Sequence, residues 1–324
     1  MRAFRSRERF TPPAIGVDIG GTKVLAAVVD EAGRVLETEI GDTPLVSIDP
    51  ARNHLDEVST KDVEDALVET VSALASRYGR STVGIGAAGF VDAQGERVRF
   101  APHLPWRDEP LAANLGRRLR EHVVGEVLVD NDANAALWAE ARFGAAQRCQ
   151  HVVMLTLGTG IGGALLTGGT LHRGANGMAG EFGHMVVVPD GLPCQCGRRG
   201  CWEQYCSGRA LARLAADAGS DLVGAALTAA AHEGDPVALA AYAEVSRWLG
   251  LGAANVAAAF DPEVILVGGG VSAAGELLLA PARTAMAESL VGAGHRLEPD
   301  LVAAELGPLA GVIGVADLAR TRAR

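Results

Sequence analysis

The stretch Ala14-Ile-Gly-Val-Asp-Ile-Gly-Gly-Thr-Lys-Val-Leu-Ala-Ala-Val-Val-Asp30 reads as two β-rich runs folded back on each other about Gly20-Gly21-Thr22. A second unit of the same kind begins at Val152. Laying Gly21-Thr22 over Gly158-Thr159 sets the two 137 residues apart (158 − 21), and two units of that size nearly fill a chain of 324 residues. The match rests on few residues, so it is either an internal repeat or a coincidence between two Gly-Thr hairpins.

Outward from the hairpins, strands alternate with helices. Val63, Ala66, Leu67, Val71 and Leu74 recur at helical spacing across 61–78, residues 82–87 form a short buried-strand pattern, and 111–122 predict a charged amphipathic helix. Val127-Leu-Val-Asp-Asn-Asp132 predicts a strand with polar residues at its carboxyl end, followed by a helix over 133–143. Asp235-Pro236 supplies an N-cap and a first-turn proline for an apolar helix reaching about Phe260. Val264-Ile-Leu-Val-Gly-Gly-Gly270 is a further strand entering a glycine turn. This alternation is that of an α/β fold. The segment 41–60, with Pro44, Pro50, Asn53 and His54, reads only as a loop.

Charge and composition narrow the function. The balance of 29 Lys+Arg against 39 Asp+Glu gives a net charge of −10, which repels nucleic acid and anionic membranes. Arg2, Arg5, Arg7 and Arg9, and again Arg320, Arg322 and Arg324, lie at the chain ends and read as solvated tails. The basic amino terminus reaches Thr11-Pro12-Pro13 without an apolar core or a small-residue cleavage site, so a cytoplasmic protein is expected. Residues 152–171 are uncharged and long enough to cross a bilayer, but ten of them are Gly or Thr, which favours strand, turn and strand. Glycine makes up about 12.7% of the chain (41/324) against a usual value of about 7%, without a three-residue period; loops are its expected place.

Glycine loops suit phosphate because the backbone N–H groups can approach the oxygens with no Cβ in the way. Asp18-Ile-Gly-Gly-Thr-Lys23, Leu157-Gly-Thr-Gly-Ile-Gly-Gly163 and Gly268-Gly-Gly270 are the candidates. The second satisfies G-x-G-x-x-G, yet Ala164-Leu-Leu-Thr-Gly-Gly169 follows it with strand length instead of a helix, which argues against a dinucleotide fold. The first ends Gly-Thr-Lys where a P-loop requires Gly-Lys-Thr. Asp18 either faces magnesium or satisfies the turn's own N–H groups, and Lys23 either neutralises phosphate or is simply exposed.

Three of the five cysteines fall in Cys194-Gln-Cys196-Gly-Arg-Arg-Gly-Cys201, and His184 stands ten residues before Cys194. An odd cysteine count and the one-residue gap between Cys194 and Cys196 favour a Cys3His zinc site over a disulfide. Such a shell is full, so the ion is expected to hold a loop together, leaving the second ring nitrogen of His184 to donate a hydrogen bond. Glu181 and Glu203 flank this loop and can accept paired hydroxyl donors, or else are exposed acids. Asn131-Asp132 offers an amide for recognition and a carboxylate able to take a proton from an alcohol, with helix capping as the competing role of Asp132.

Taken together, these motifs resemble the ROK family of sugar kinases and repressors, and within it the actinobacterial glucokinases. The resemblance runs in family order through Asp18-Ile-Gly-Gly-Thr-Lys23, Val129-Asp-Asn-Asp-Ala-Asn134, Leu157-Gly-Thr-Gly-Ile-Gly-Gly163, Glu181-Phe-Gly-His184 and Cys194-Gln-Cys-Gly-Arg-Arg-Gly-Cys-Trp-Glu203, and Gly311-Val-Ile-Gly-Val-Ala-Asp317 extends it nearly to the end. It implies an actin-like ATPase (ribonuclease H-like) fold, two related α/β domains flanking a cleft. The smaller domain is expected at 14–131, completed by a helix near 311–322, and the larger, zinc-bearing one at 132–310.

The resemblance also implies phosphorylation of glucose at its 6-hydroxyl, with Asp132 as base. Glucose is expected near Gly89, Asn131, Asp132, Glu181, His184 and Glu203. MgATP is expected along Asp18, Gly20, Gly21, Thr22 and Lys23 and along Gly158, Thr159 and Gly160, with Gly268, Gly269 and Gly270 near the nucleoside. Zinc falls to His184, Cys194, Cys196 and Cys201. Gly86-Ala-Ala-Gly-Phe-Val-Asp92 resembles the glucokinase form of a sugar-side loop, which favours glucose over fructose or an N-acetylated hexosamine, while glucose against mannose stays open. A sugar-sensing repressor is the rival reading, against which stand the negative charge and the roughly 14 residues before the first strand, too few for a helix-turn-helix. ATP against polyphosphate, and dimer against tetramer, stay open.

Overall fold

The computed structural model describes residues 13–20, 23–44, 48–49, 54–55 and 59–323. Its strands are β1 (Ala14–Ile19), β2 (Lys23–Val29), β3 (Val35–Asp42), β4 (Ile48–Asp49), β5 (His54–Leu55), β6 (Val83–Ala87), β7 (Phe90–Val91), β8 (Val98–Phe100), β9 (Arg107–Glu109), β10 (Leu128–Asn131), β11 (Val152–Leu157), β12 (Ile161–Thr167), β13 (Thr170–Leu171), β14 (Val264–Gly268) and β15 (Asp300–Ala303). Its helices are α1 (Thr60–Tyr78), α2 (Leu111–Arg118), α3 (Asp132–Phe143), α4 (Gly208–Asp217), α5 (Gly224–His232), α6 (Pro236–Phe260), α7 (Glu276–Ser289) and α8 (Ala310–Arg322). The basic residues expected as an amino-terminal tail, Gly21 and Thr22, and most of 45–58 lie outside the described residues.

Two compact units result. The first takes the chain up to Asp132 and again from Gly311; the second is Ala133–Ala310. In the first, a five-stranded sheet runs β10-β6-β1-β2-β3, with β1 antiparallel to β2 and parallel to β6, and β6 parallel to β10. In the second, the order β13-β12-β11-β14-β15 repeats the pattern: β11 is antiparallel to β12 and parallel to β14, and β14 is parallel to β15. The hairpin similarity is thus a repeat of topology.

The repeat carries one slip. Before the turn the strands are related by 138 residues (152 − 14), and β1 and β11 share the same run of buried and half-buried positions. Four residues, 20–23, separate the last pair Ile19 and Val24, but only three, 158–160, separate Leu157 and Ile161. After the turn the spacing is therefore 137 (161 − 24), the value read from the Gly-Thr match. A one-residue offset inside a strand would turn every side chain to the opposite face, so the extra residue has to sit in the turn.

Local signals explain the first unit. Ser59 caps α1, accepting from the Asp62 N–H at 3.2 Å while the Asp62 carboxylate accepts from the Ser59 N–H at 3.1 Å. Val63, Leu67, Val71 and Leu74 then fall on the buried face of α1 and pack with Ile15, Val17 and Ile85 from β1 and β6. The carboxyl-terminal helix α8 returns to the same sheet. A Cβ at Gly16 would overlap the carbonyl oxygen of Val312, and one at Gly84 that of Val315. Part of the glycine excess thus serves close helix-on-strand packing inside β1 and β6, beyond the loops in which many of the glycines were expected.

The second unit has its own core, from Val153 and Leu155 on β11 through Trp202 to Leu249 on α6 and Leu278 on α7. Asp235 caps α6 through the Ala238 N–H at 2.8 Å, and Pro236 opens the helix. Gly252 on α6 makes room for the Trp202 indole, whose Nε1–H donates to the Trp248 carbonyl at 2.8 Å. Residues 152–171 form β11, β12 and β13 with their turns. No described helix is long and apolar enough to cross a membrane.

Candidate active site

In the first unit, parallel pairing aligns the carboxyl ends of three strands. Asp18 is the register partner of Gly86, which in turn pairs with Asp130, and Asn131 pairs with Ala87. The sheet therefore gathers Asp18, the Gly86-Ala87 end of β6 and Asn131 at one edge, where open α/β sheets take their ligands. Asn131 Nδ2 donates to the Gly89 carbonyl at 3.1 Å, which sets the amide's orientation. Gly89 is required there, because a Cβ would come within 2.6 Å of the Phe100 carbonyl.

Asp132 is the first residue of α3. Burial raises the Asp18 carboxyl to about 7, and the Asp132 charge adds to the push. The Asp132 charge thus bears on Asp18, and the two carboxyl groups are a donor set that fits a divalent cation. Gly311 at the start of α8 also faces Asp18: a Cβ there would stand 3.0 Å from Oδ2. Gly20 donates its N–H to the Lys23 carbonyl at 3.1 Å, and Lys23 itself is exposed at the start of β2.

In the second unit the Gly158–Gly160 turn is tied down on two sides. Gly158 N–H donates to the Gly160 carbonyl at 3.0 Å, and the Gly208 N–H donates to the Gly158 carbonyl at 2.8 Å. The N–H groups of Thr159 and Gly160 donate to no other group among the described residues. Gly158, Thr159 and Gly270 lie on the wall of a cavity of about 710 Å³. Gly160, Gly268 and Gly269 do not line it; Gly268 ends β14, and Gly269 adopts φ +83 against the Leu157 carbonyl.

The metal set forms one cluster. Donor atoms of His184, Cys194, Cys196 and Cys201 all lie within 4.8 Å of one another. Cys196 Sγ and Cys201 Sγ are 3.6 Å apart, far beyond a disulfide bond and close to the ~3.8 Å separation of two sulfurs on a tetrahedral zinc. His184 presents Nδ1 to Cys194 Sγ at 3.8 Å and Nε2 to Glu181 Oε2 at 4.0 Å, so one ring nitrogen serves the cluster and the other faces a carboxylate. Gly197 and Gly200 turn the chain between the sulfurs at φ +83 and +76.

Burial pushes the Cys201 thiol up to about 12, with Cys196 and Cys194 adding to the shift. Cys196 moves the other way: burial opposes the shift, but the Arg198 N–H and the two neighbouring sulfurs outweigh it. Glu203 is buried beside the cluster, its Oε1 accepting from Arg209 Nη2 at 3.1 Å and from Cys194 Sγ at 3.3 Å.

A family profile, the ROK family, matches residues 14–322. The chain belongs to the ROK family. This ROK chain is 43% identical over 324 aligned residues to the glucokinase of Streptomyces coelicolor, covering 94% of itself and 97% of that protein. The glucokinase of Thermotoga maritima is 35% identical, with 95% and 97% covered. Among solved structures, the ROK family glucokinase from Streptomyces griseus in complex with glucose and AMPPNP superposes with a TM-score of 0.83 at 45% identity, over 95% of this chain and 99% of that one. The fold is accordingly the actin-like ATPase fold that the family resemblance implied.

Sequence reading of this ROK chain missed the far wall of the cavity. Leu211 and Ala212 of α4, Thr228 of α5 and Tyr242 of α6 form it, and the Thr228 and Tyr242 hydroxyls stand 2.8 Å apart. Their helices carry no motif, and nothing local marks these residues as lining a site. Arg209 was missed as well, although it follows Gly208 in the short run after the cysteine motif.

Proposed function

We propose that the protein is a glucokinase, transferring the γ-phosphoryl group of ATP to the 6-hydroxyl of D-glucose. The observation that carries this reading is the near full-length likeness to glucokinases, one of them holding glucose and a nucleotide analogue. The site chemistry agrees. Glucose is held by Asn131, Glu181, His184 and Glu203, with Gly89 fixing the Asn131 amide. Asp132 takes the proton from the 6-hydroxyl as O6 attacks the γ-phosphorus, and the bond to the bridging oxygen of ADP breaks in line.

Thr159 and Gly160 offer two backbone donors for phosphate oxygens, and Gly20 and Lys23 flank the matching position in the first unit. Magnesium, held on the Asp18 side, would neutralise charge on the nucleotide's β- and γ-oxygens. Gly158, Thr159 and Gly270 would bound the nucleotide on the cavity side, with Gly268 and Gly269 shaping the turn behind them. The zinc set has no position open for a water, so its ion would hold the 184–201 loop and orient His184 while remaining outside the chemistry. Self-assembly into a dimer or tetramer and action in the cytoplasm belong to the same proposal.

The test crosses glucose, mannose, fructose and N-acetylated hexosamines with ATP and polyphosphate, using purified protein and a product-specific coupled assay. Glucose with MgATP is expected to give the highest kcat/KM. Transfer to none of these sugars would reject the reading; a clear preference for another hexose would move it within the family.

A further inference from the structure

The Gly158–Gly160 turn and the Glu203 carboxylate have different expected ligands, the nucleotide and the sugar. One side chain joins them. Arg209, at the second position of α4, donates from Nε to the Thr159 carbonyl at 3.0 Å and from Nη2 to Glu203 Oε1 at 3.1 Å. The same residue lies on the cavity wall beside Thr159. Glu203 Oε2 in turn accepts from the Ile161 N–H at 3.4 Å, immediately beyond the turn. A Cβ at Gly160 would overlap Glu203 Oε2 and stand 3.5 Å from Arg209 Nη2, so the turn, the acid and the guanidinium are packed as one unit.

This arrangement has a mechanical consequence. The Thr159–Gly160 peptide is planar, so holding the Thr159 carbonyl also fixes the direction of the Gly160 N–H. A guanidinium carries its donors in a rigid fork, so the angle between the two bonds is set by the side chain itself. Movement of the turn onto a phosphate is therefore transmitted to the Glu203 carboxylate, and ordering of Glu203 by a sugar is returned to the turn. We propose that Arg209 is a positioning residue that couples the nucleotide turn to the sugar carboxylate, so that each ligand tightens the other. The proposal rests on the sugar-kinase reading above and adds to it a residue and a thermodynamic property.

Titration calorimetry on the zinc-loaded full chain tests it, with glucose and a magnesium-bound non-hydrolysable ATP analogue each titrated alone and in the presence of the other. In the wild type the two ligands strengthen one another by a common factor of at least about fivefold, the same in both directions. In Arg209→Gln that factor falls to about one, while zinc content and Tm stay at wild-type values. Arg209→Gln also weakens glucose binding; Arg209→Lys keeps a cation beside Glu203 but lacks the fork, so it holds glucose affinity near wild type and leaves the coupling lost. This split is not expected of a residue that only stabilises the fold.

An Arg209→Gln protein with the wild-type factor, or a wild type that phosphorylates glucose yet shows no coupling, overturns the proposal alone. Should Arg209→Gln lose zinc, the Lys variant decides, and retained coupling there overturns it. A wild type that binds neither ligand overturns the sugar-kinase reading and this proposal together.

Discussion

The two sheets share strand order and direction, and differ in what stands at the ends of their strands. Where β1 places Asp18, the matching position of β11 holds Thr156 (18 + 138). Where β10 ends in Asn131 followed by Asp132, β15 ends in Ala303 followed by Ala304. The first unit thus concentrates carboxylates at the carboxyl edge of its sheet, and the second has neutral residues at the matching positions. A repeated frame fixes where the strand ends fall, and divergence there places the acidic pair Asp18 and Asp132 in the first unit.

Several changes would break or sharpen that contrast. The largest effect is expected from Cys201→Ser, since structural zinc in small motifs contributes on the order of 10 kcal/mol at neutral pH. Zinc content measured by mass spectrometry should fall from about one per chain to none. Hydrogen exchange should accelerate across 181–217 while β1, β6 and β10 remain protected; equal acceleration in both sheets would remove the division of labour.

Gly84→Ala is the counterpart in the first unit. It forces a methyl group against the Val315 carbonyl, a backbone atom with little room to yield, and should cost about 1–3 kcal/mol or more in urea unfolding without changing zinc content. A neutral Gly84→Ala would mean that α8 does not pack on the sheet as described.

The smallest effect concerns pH. The folded-state pKa of Asp18, about 7, lies above its ordinary value of 3.8, so between those values the folded chain binds more protons than the unfolded one. This group's contribution to stability is full below about pH 4 and declines as pH rises towards 7. Asp18→Asn should flatten that decline in ligand-free protein, seen as a higher Tm than wild type at pH 8 and little difference at pH 4. A wild-type profile without the decline would show that Asp18 ionises freely.

Much of this was legible in the chain. Period-3.6 and strand-length apolar runs located α1, α3, α6 and β14 because such patterns are local, and the zinc set was readable because its ligands occupy one short loop, 184–201. The reasons for Gly16 and Gly84 were not, since their neighbours Val312 and Val315 come from the opposite end of the chain. Arg209 was equally hidden: a lone arginine near a helix start looks like any solvated charge until Thr159 and Glu203 are seen on either side of it. The extra residue in the first hairpin turn leaves no trace in the Gly-Thr pair itself and shows only in the register of the strands before it.

The most direct test of the role proposed for the first unit's acidic pair is Asp132→Asn, assayed for turnover and for nucleotide-analogue binding in the same preparation. The account predicts a kcat lower by about 10²–10⁴-fold, with nucleotide affinity within about threefold of wild type and zinc retained. Near-normal turnover, or a parallel loss of nucleotide binding, would contradict it.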